Sequence, residues 1–214
     1  MTTLESKPLA PLLDRLFKDA DAVDWSVFSD DEQAVLRGDR SDYRRFYGML
    51  KDFPLPVSRQ AGALLYMLAR GGGARSIVEF GLSFGISTLH LAAALRDNGG
   101  GRLITTEFEP SKVARARANL QAGGLLDLVE IREGDALQTL SRDLPETIDL
   151  VLLDGAKNLY PDVLALLEVR LRPGAFVVAD NADDSPAYLE HVRRAGGGYI
   201  SVPFAADVEL SLRV

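Results

Sequence analysis

Two apolar stretches in the C-terminal half each stop on side chains that carry oxygen ligands. Ile148-Asp149-Leu150-Val151-Leu152-Leu153 runs into Asp154-Gly155-Ala156-Lys157, and Ala175-Phe176-Val177-Val178-Ala179 runs into Asp180-Asn181. Apolar runs this short, separated by a segment of helical length, read as neighbouring buried parallel strands. Their carboxyl ends then open on one crevice, where ligands bind in open α/β sheets. Asp154, Asp180 and Asn181 meeting there would bring two carboxylates and an amide oxygen together, a donor set suited to Mg²⁺ or Ca²⁺. Lys157, three residues beyond Asp154, adds a possible base. Plainer readings stand beside these: Asp-Asn is also a turn pair, and Lys157 would serve equally as a surface charge at a helix start. Lysine is scarce here, five against nineteen arginines, and arginine could not act as a base because it stays protonated.

A second cluster follows the first apolar strand. Val78-Glu79-Phe80-Gly81-Leu82-Ser83-Phe84-Gly85-Ile86-Ser87-Thr88 reads as a strand, a glycine-containing turn and a helix start. Gly81 allows a sharp turn and close approach of a ligand, and Gly85 gives the same freedom where the helix begins. Ser87 and Thr88 at that helix N-terminus can bond a carboxylate or amine. The spacing is G-x-x-x-G, without the close-approach glycine of dinucleotide folds, so a plain βα turn is an even alternative. Glu107 ends the next strand, where an acid can bind both hydroxyls of a ribose. Asp135, in Gly134-Asp135-Ala136-Leu137, could accept from an adenine amine or could simply cap a helix. Acids after three successive strands describe a nucleoside pocket without a phosphate site, which points to S-adenosylmethionine.

The elements that must position these residues alternate. Strands are predicted at Ser76–Phe80, Arg102–Thr106, Val129–Arg132, Ile148–Leu153 and Ala175–Ala179. Helices are predicted at about Ile86–Arg96, Ser111–Gln121, Asn158–Arg170 (stopped by Pro173-Gly174) and Pro186–Arg194. Such alternation implies a parallel sheet with helices on both faces. Tyr199–Val202 and Val208–Val214 are two further strands joined by a link too short for a crossover, so one of them runs antiparallel. Residues 1–57 form an N-terminal helical segment: Leu9, Leu12, Leu13, Leu16 and Phe17 fall at helical spacing, and Ser29-Asp30-Asp31-Glu32 reads as a capped helix start. Residues 58–214, opened by a helix from Ser58 to Arg70, form the α/β domain. Trp25, Tyr43, Phe46 and Tyr47 are expected to pack core or a dimer contact, with stacking on the acceptor as the lesser alternative. His90 reads as structural, and nothing in the spacing of His191 demands a role.

The chain has 214 residues, 47% of them apolar and 26% charged, which suits one globular α/β domain. Its net charge of −7 disfavours generic nucleic-acid binding and favours a small-molecule acceptor. With no cysteine and two histidines, thiolate chemistry and His-rich metal centres are excluded. The absence of a membrane-span-length apolar run or a signal-peptide pattern implies no membrane and a cytoplasmic location.

From about Pro56 onward the sequence resembles the class I S-adenosylmethionine-dependent methyltransferases, and more narrowly the cation-dependent catechol and caffeoyl-CoA type O-methyltransferases. The segment from Val78 to Ser87 matches the family's cofactor motif, and Thr106-Glu107-Phe108-Glu109-Pro110 its ribose-binding segment. Asp154-Gly155-Ala156-Lys157-Asn158-Leu159-Tyr160 matches its D-x-x-K-x-x-Y, and Asp180-Asn181 its second metal-binding pair. The resemblance implies a Rossmann-like doubly wound sheet of seven strands with an antiparallel C-terminal hairpin, preceded by the N-terminal helices. It implies a cofactor site of Glu79, Gly81, Ser83, Gly85, Ser87, Glu107, Asp135 and Asp154. It also implies a divalent cation (Mg²⁺, or Ca²⁺ or Mn²⁺) on Asp154, Asp180 and Asn181, with Lys157 removing a proton from a phenolic or catechol-like hydroxyl. A homodimer is expected.

One departure bears on the acceptor. The family usually follows its Asp-Asn pair with an aromatic loop that covers the acceptor, whereas Asn181 is followed here by Ala182-Asp183-Asp184-Ser185-Pro186 and a helix. The acceptor pocket is therefore expected to be more open, or closed by the N-terminal helices or a partner subunit. Alternatives are a metal-independent or nitrogen-directed methyltransferase, a nicotinamide-dependent oxidoreductase, and a non-catalytic cofactor-binding protein.

Overall fold

The computed structural model describes residues 1–37, 42–205 and 207–214. Four helices come first: α1 (Leu9–Asp21), α2 (Asp30–Arg37), α3 (Tyr43–Met49) and α4 (Arg59–Gly71). Then β1 (Ser76–Phe80), α5 (Ile86–Asp97), β2 (Arg102–Glu107), α6 (Pro110–Ala122), β3 (Val129–Glu133), α7 (Ala136–Thr139) and β4 (Ile148–Leu153) follow. The chain closes with α8 (Tyr160–Glu168), β5 (Leu171–Ala179), α9 (Pro186–Arg193), β6 (Tyr199–Phe204) and β7 (Val208–Arg213).

The strands form one seven-stranded sheet in the order β3-β2-β1-β4-β5-β7-β6. β1, β2, β3, β4 and β5 pair in parallel, while β7 lies antiparallel between β5 and β6. This is the Rossmann-like sheet with a C-terminal hairpin that the sequence predicts. Strand order reverses beside β1, so the carboxyl ends of β1, β2 and β4 open on a switch-point crevice.

Alternate strand residues build two cores, because successive side chains point to opposite faces. Ile77, Leu103, Leu150, Leu152 and Val178 pack on one face with residues of α1, α4 and α5. Val78, Ile104, Val151, Leu153 and Val177 pack on the other face with Val163, Leu164 and Leu167 of α8 and Tyr188 and Val192 of α9. Leu9, Leu12, Leu13, Leu16 and Phe17 of α1 are buried in the first core, so the N-terminal segment shares the interior of the sheet. A small third cluster, Phe28, Phe46 and Leu50, ties the α2–α3 region together.

Several element boundaries differ from the expectation. α8 stops at Glu168, and Pro173-Gly174 lies inside β5, which starts at Leu171. The register with β4 shifts between Ile148 and Leu150, and that irregularity accommodates a proline that cannot donate to the ladder. At the hairpin, pairing runs to Phe204 opposite Val208, so the strands reach closer to their turn than expected. Among the described residues no helix is long and apolar enough to cross a membrane.

Candidate active site

The carboxyl ends of the strands bear two chambers that meet at Asp154. The first is lined by Gly81 and Ser83 after β1, Glu107 and Phe108 after β2, Gly134 to Ala136 after β3, and Asp154 to Ala156 after β4. Tyr43 and Tyr47 of α3 cover it, and Lys112 of α6 reaches in from the side. The second is a cleft of about 970 Å³ with Asp154, Lys157, Asp180, Asn181 and Asp207 among its lining residues. Its apolar walls come from the N-terminal helices and the segment after them: Phe17, Trp25, Phe46, Tyr47, Leu50 and Leu55.

The first chamber brings together five of the residues the sequence reading assigned to a cofactor: Gly81, Ser83, Glu107, Asp135 and Asp154. Gly81 has φ +104°, and a side chain there would collide with the backbone of Asp154, so glycine is needed for the two strand ends to approach. Glu107 accepts backbone N–H bonds from Ser83 at 3.0 Å and Glu109 at 3.0 Å. Burial pushes its carboxyl above the usual carboxylate range, against those N–H bonds and the charge of Lys112.

Several of the assigned residues also make structural contacts of their own. Glu79 is fully buried and lines neither chamber; its two oxygens accept from Ser87 Oγ at 2.7 Å and Thr88 Oγ1 at 2.6 Å. It joins β1 to the start of α5, and Ser87, which borders the narrow crevice beside Leu55 and Gly81, bonds it through its hydroxyl. Gly85 is the left-handed N-cap of α5, packed near Ala116, and shapes the turn without lining either chamber. Asp135 caps α7 and also lines the chamber: Oδ1 accepts from Leu137 N–H at 2.9 Å, while Oδ2 accepts from Tyr43 Oη at 2.9 Å and Arg44 at 2.7 Å.

In the second cleft, Lys157 is buried and donates to Asp154 Oδ1 at 3.1 Å. Burial alone would push the ammonium down, but Tyr160, Asp154, Tyr47 and Asp180 outweigh it and hold Lys157 above the ordinary lysine value. In this state it is a charge partner of Asp154, and a base only once that pair loosens. Asp154 and Asp180 are in contact and both are raised, first by burial and then, for Asp180, by the charge of Asp154; Asp180 reaches about 7. Asn181 sits in the left-handed region (φ 47°, ψ 45°) and donates from Nδ2 to Asp207 Oδ2 at 3.1 Å.

Among the described residues no group of three or more His, Cys, Asp or Glu side chains is arranged to hold a metal ion. The donor chemistry nevertheless fits a hard cation. Asp154 and Asp180 are both raised by burial, and the charge of Asp154 raises Asp180 further; a divalent ion would relieve that crowding of acids, and the Asn181 amide borders the same cleft.

Tyr43, Tyr47, Phe46 and Trp25 were expected mainly in the core or at a dimer contact, with acceptor stacking as the lesser alternative; Tyr43 and Tyr47 line the first chamber, and Trp25, Phe46 and Tyr47 the second. Their clustering just before the α/β domain was the available signal. Lys112, in the first turn after Glu107, and Asp207, at the hairpin turn, were also missed. His90 is structural as expected, buried with Nδ1 2.8 Å from the Ile86 carbonyl. His191 lies against Glu168 and Tyr199, remote from both chambers.

Comparison with known proteins agrees with this geometry. A family model described as a methyltransferase domain, Methyltransf_24, matches residues 78–182. A catechol O-methyltransferase of Niastella koreensis is 36% identical over 130 residues, covering 59% of this chain and 58% of the relative. The chain thus matches less than two thirds of the length of such curated relatives. The cofactor-bound Rv0187 from MTB superposes with a TM-score of 0.71 at 25% identity, over 98% of this chain and 94% of the other. TomG of Streptomyces achromogenes, an O-methyltransferase involved in tomaymycin synthesis and solved in complex with SAM, gives 0.66 at 27% identity, over 92% and 94%. With strand order, glycine turn and ribose-side acid all in place, the chain belongs to the class I S-adenosylmethionine-dependent methyltransferases, with its likeness to the O-methyltransferases among them.

Proposed function

We propose that this protein transfers a methyl group from S-adenosylmethionine to a hydroxyl of a small phenolic or catechol-like acceptor, assisted by a divalent cation. The observation that carries the reading is the position of Asp154, which borders both chambers. A nucleoside cofactor held by Glu107 and Gly81 and an acceptor in the aromatic-walled cleft would meet beside it.

In the step itself the acceptor oxygen forms a bond to the methyl carbon as the carbon–sulfur bond breaks, leaving S-adenosylhomocysteine. The hydroxyl proton must leave, since a phenol with a pKa near 10 is mostly protonated at neutral pH. Lys157 would receive it, provided that it enters the step neutral. A positioned base contributes about 10²- to 10⁴-fold, and alignment of the two reactants contributes further. Asp154, Asp180 and Asn181 would hold the cation, whose chemistry when bound is stabilisation of the developing phenolate. Trp25, Phe46 and Tyr47 would exclude water and stack on an aromatic acceptor, taking the part of the covering loop that is short here. The catechol O-methyltransferase name of the 36%-identical relative supports this acceptor class.

A metal-independent transfer is the second reading, favoured by one observation: Lys157 already neutralises Asp154. Radiolabelled methyl transfer to a panel of phenols, catechols and amines, with Mg²⁺ or with a chelator, tests both. Catechol methylation lost on chelation supports the first reading. Chelator-resistant transfer supports the second, and transfer confined to amines defeats the oxygen-directed proposal.

A further inference from the structure

We propose that Lys112 supplies the positive charge that pairs with the carboxylate of the cofactor's amino-acid portion, and so makes the pocket select S-adenosyl amino acids over nucleoside thioethers lacking that group. The assignment rests on the cofactor reading above and adds a residue and a specificity to it.

Lys112 lies in the first turn of α6, just beyond the ribose-side acid, and is only 3% exposed. An ammonium has three N–H donors. Among the described residues, that of Lys112 closes no ion pair and makes one hydrogen bond, a long one of 3.5 Å to Ser83 Oγ. Its remaining contact is with the face of Phe84, 5.7 Å from the ring centre. A buried charge with so little hydrogen bonding is costly unless something completes it. Lys112 lines the cofactor chamber, so the missing partner would arrive there.

Charge complementarity says which group that partner is. S-adenosylmethionine carries a cationic sulfonium, a cationic amine and a single anion, the carboxylate. Lys112 is the one cation among the described residues lining the chamber, whose other charged members are Glu107, Asp135 and Asp154. Glu107 does not use Lys112 as a direct partner, because its two oxygens are already met by the N–H groups of Ser83 and Glu109. Burial pushes the Lys112 pKa down, opposed by Glu107, Glu109 and Asp154; an incoming carboxylate would join that opposition and keep the ammonium charged.

The test compares two neutral thioethers by calorimetry, which keeps the sulfonium charge out of the result. S-adenosylhomocysteine has the amino acid, and 5′-methylthioadenosine is the same nucleoside thioether without it. In Lys112→Met, S-adenosylhomocysteine binding should weaken at least about tenfold, the loss expected for one charge-assisted hydrogen bond. Methylthioadenosine binding should stay within about twofold. Lys112→Arg should recover part of the loss, and Lys112→Gln reads the same contrast should the methionine variant fail to fold. Equal weakening of both ligands would overturn the assignment and make Lys112 a support for the ribose side. Unchanged binding of both would overturn it too. Wild-type protein that binds neither ligand would overturn the cofactor reading, and this assignment with it.

Discussion

The hydroxyl of Tyr160 donates a 2.8 Å hydrogen bond to the backbone carbonyl of Asp180, joining the segment after β4 to the end of β5. Its ring is fully buried, edge-on to Phe80 and Tyr188. The D-x-x-K-x-x-Y spacing therefore does two things. It places Asp154 and Lys157 in the cleft, and it uses Tyr160 to fix the strand end that presents Asp180. Tyr160→Phe would leave that buried carbonyl without its donor, at about 1–3 kcal/mol of stability. Melting temperature should fall, and Mg²⁺-dependent turnover should fall with it through a misplaced Asp180. S-adenosylhomocysteine affinity should hardly change, because Tyr160 does not line the cofactor chamber. Full Mg²⁺-dependent turnover in a destabilised variant would reduce Tyr160 to a packing residue.

The first chamber is narrowed by α3. Its enclosed volume is about 60 Å³, whereas ligand sites usually span about 300–1,000 Å³. Tyr43 and Arg44 both bond Asp135 Oδ2, and Tyr47 Oη donates to the Gly155 carbonyl at 3.3 Å. If this chamber takes the cofactor, entry would move α3 and break part of this set. Tyr43→Phe combined with Arg44→Ala should therefore raise the association rate of S-adenosylhomocysteine several-fold, measured by stopped-flow fluorescence of Trp25. An association rate equal to wild type would show that α3 is no barrier.

Glu79 gives a stability prediction with a definite sign. Burial raises its carboxyl to about 7, against the bonds from Ser87 and Thr88, with the charge of Asp154 adding to the rise. The folded protein then binds a proton there that the unfolded chain releases near the ordinary glutamate value. Its contribution is fully present below about pH 4.5 and is lost as pH rises through about 7. Glu79→Gln removes this titration while keeping a polar group of the same shape. The melting temperature of the variant relative to wild type should rise between pH 5 and 8. A difference that stays flat across that window would mean that Glu79 titrates normally in the fold.

The sheet was legible in the sequence because buried parallel strands are short continuous apolar runs, and β1, β2, β4 and β5 each end on the acidic or glycine residues that line the crevice. Pro173-Gly174 misled because these residues usually stop elements, and only pairing with β4 makes the bulged strand visible. The site was less legible where it depends on docking. Tyr43 and Tyr47 have the spacing of an ordinary packed helix face, and only the placement of α3 above the strand ends turns that face onto the cofactor chamber. Lys112 reads as one more cation in an arginine-rich helix until α6 packs behind Glu107. Asp207 is distant in sequence from Asn181, and the antiparallel insertion of β7 brings them to 3.1 Å. Glu79 and Asp135 add contacts the sequence did not show: Glu79 bonds Ser87 and Thr88 at the start of α5, and Asp135 bonds Tyr43 and Arg44 across the chamber.

In the proposed mechanism Lys157 is the group that would take the acceptor proton. It is buried on Asp154 Oδ1 at 3.1 Å, with its ammonium held above the ordinary lysine value. If it removes the acceptor proton, Lys157→Arg keeps the charge and the pairing with Asp154 yet loses most turnover, because guanidinium does not give up its proton. The loss should lie in kcat and leave cofactor affinity nearly intact, since proton removal belongs to the chemical step. It should be on the order of 10²-fold or more for a phenol of ordinary acidity. With acceptors of falling pKa the gap should narrow, because a phenol already ionised at the assay pH needs no base. Measuring kcat for wild type and variant across nitro- and halogen-substituted catechols gives the slope. A gap that stays constant along that series would mean that Lys157 acts through charge and position alone, and turnover near wild type throughout would remove it from the chemistry.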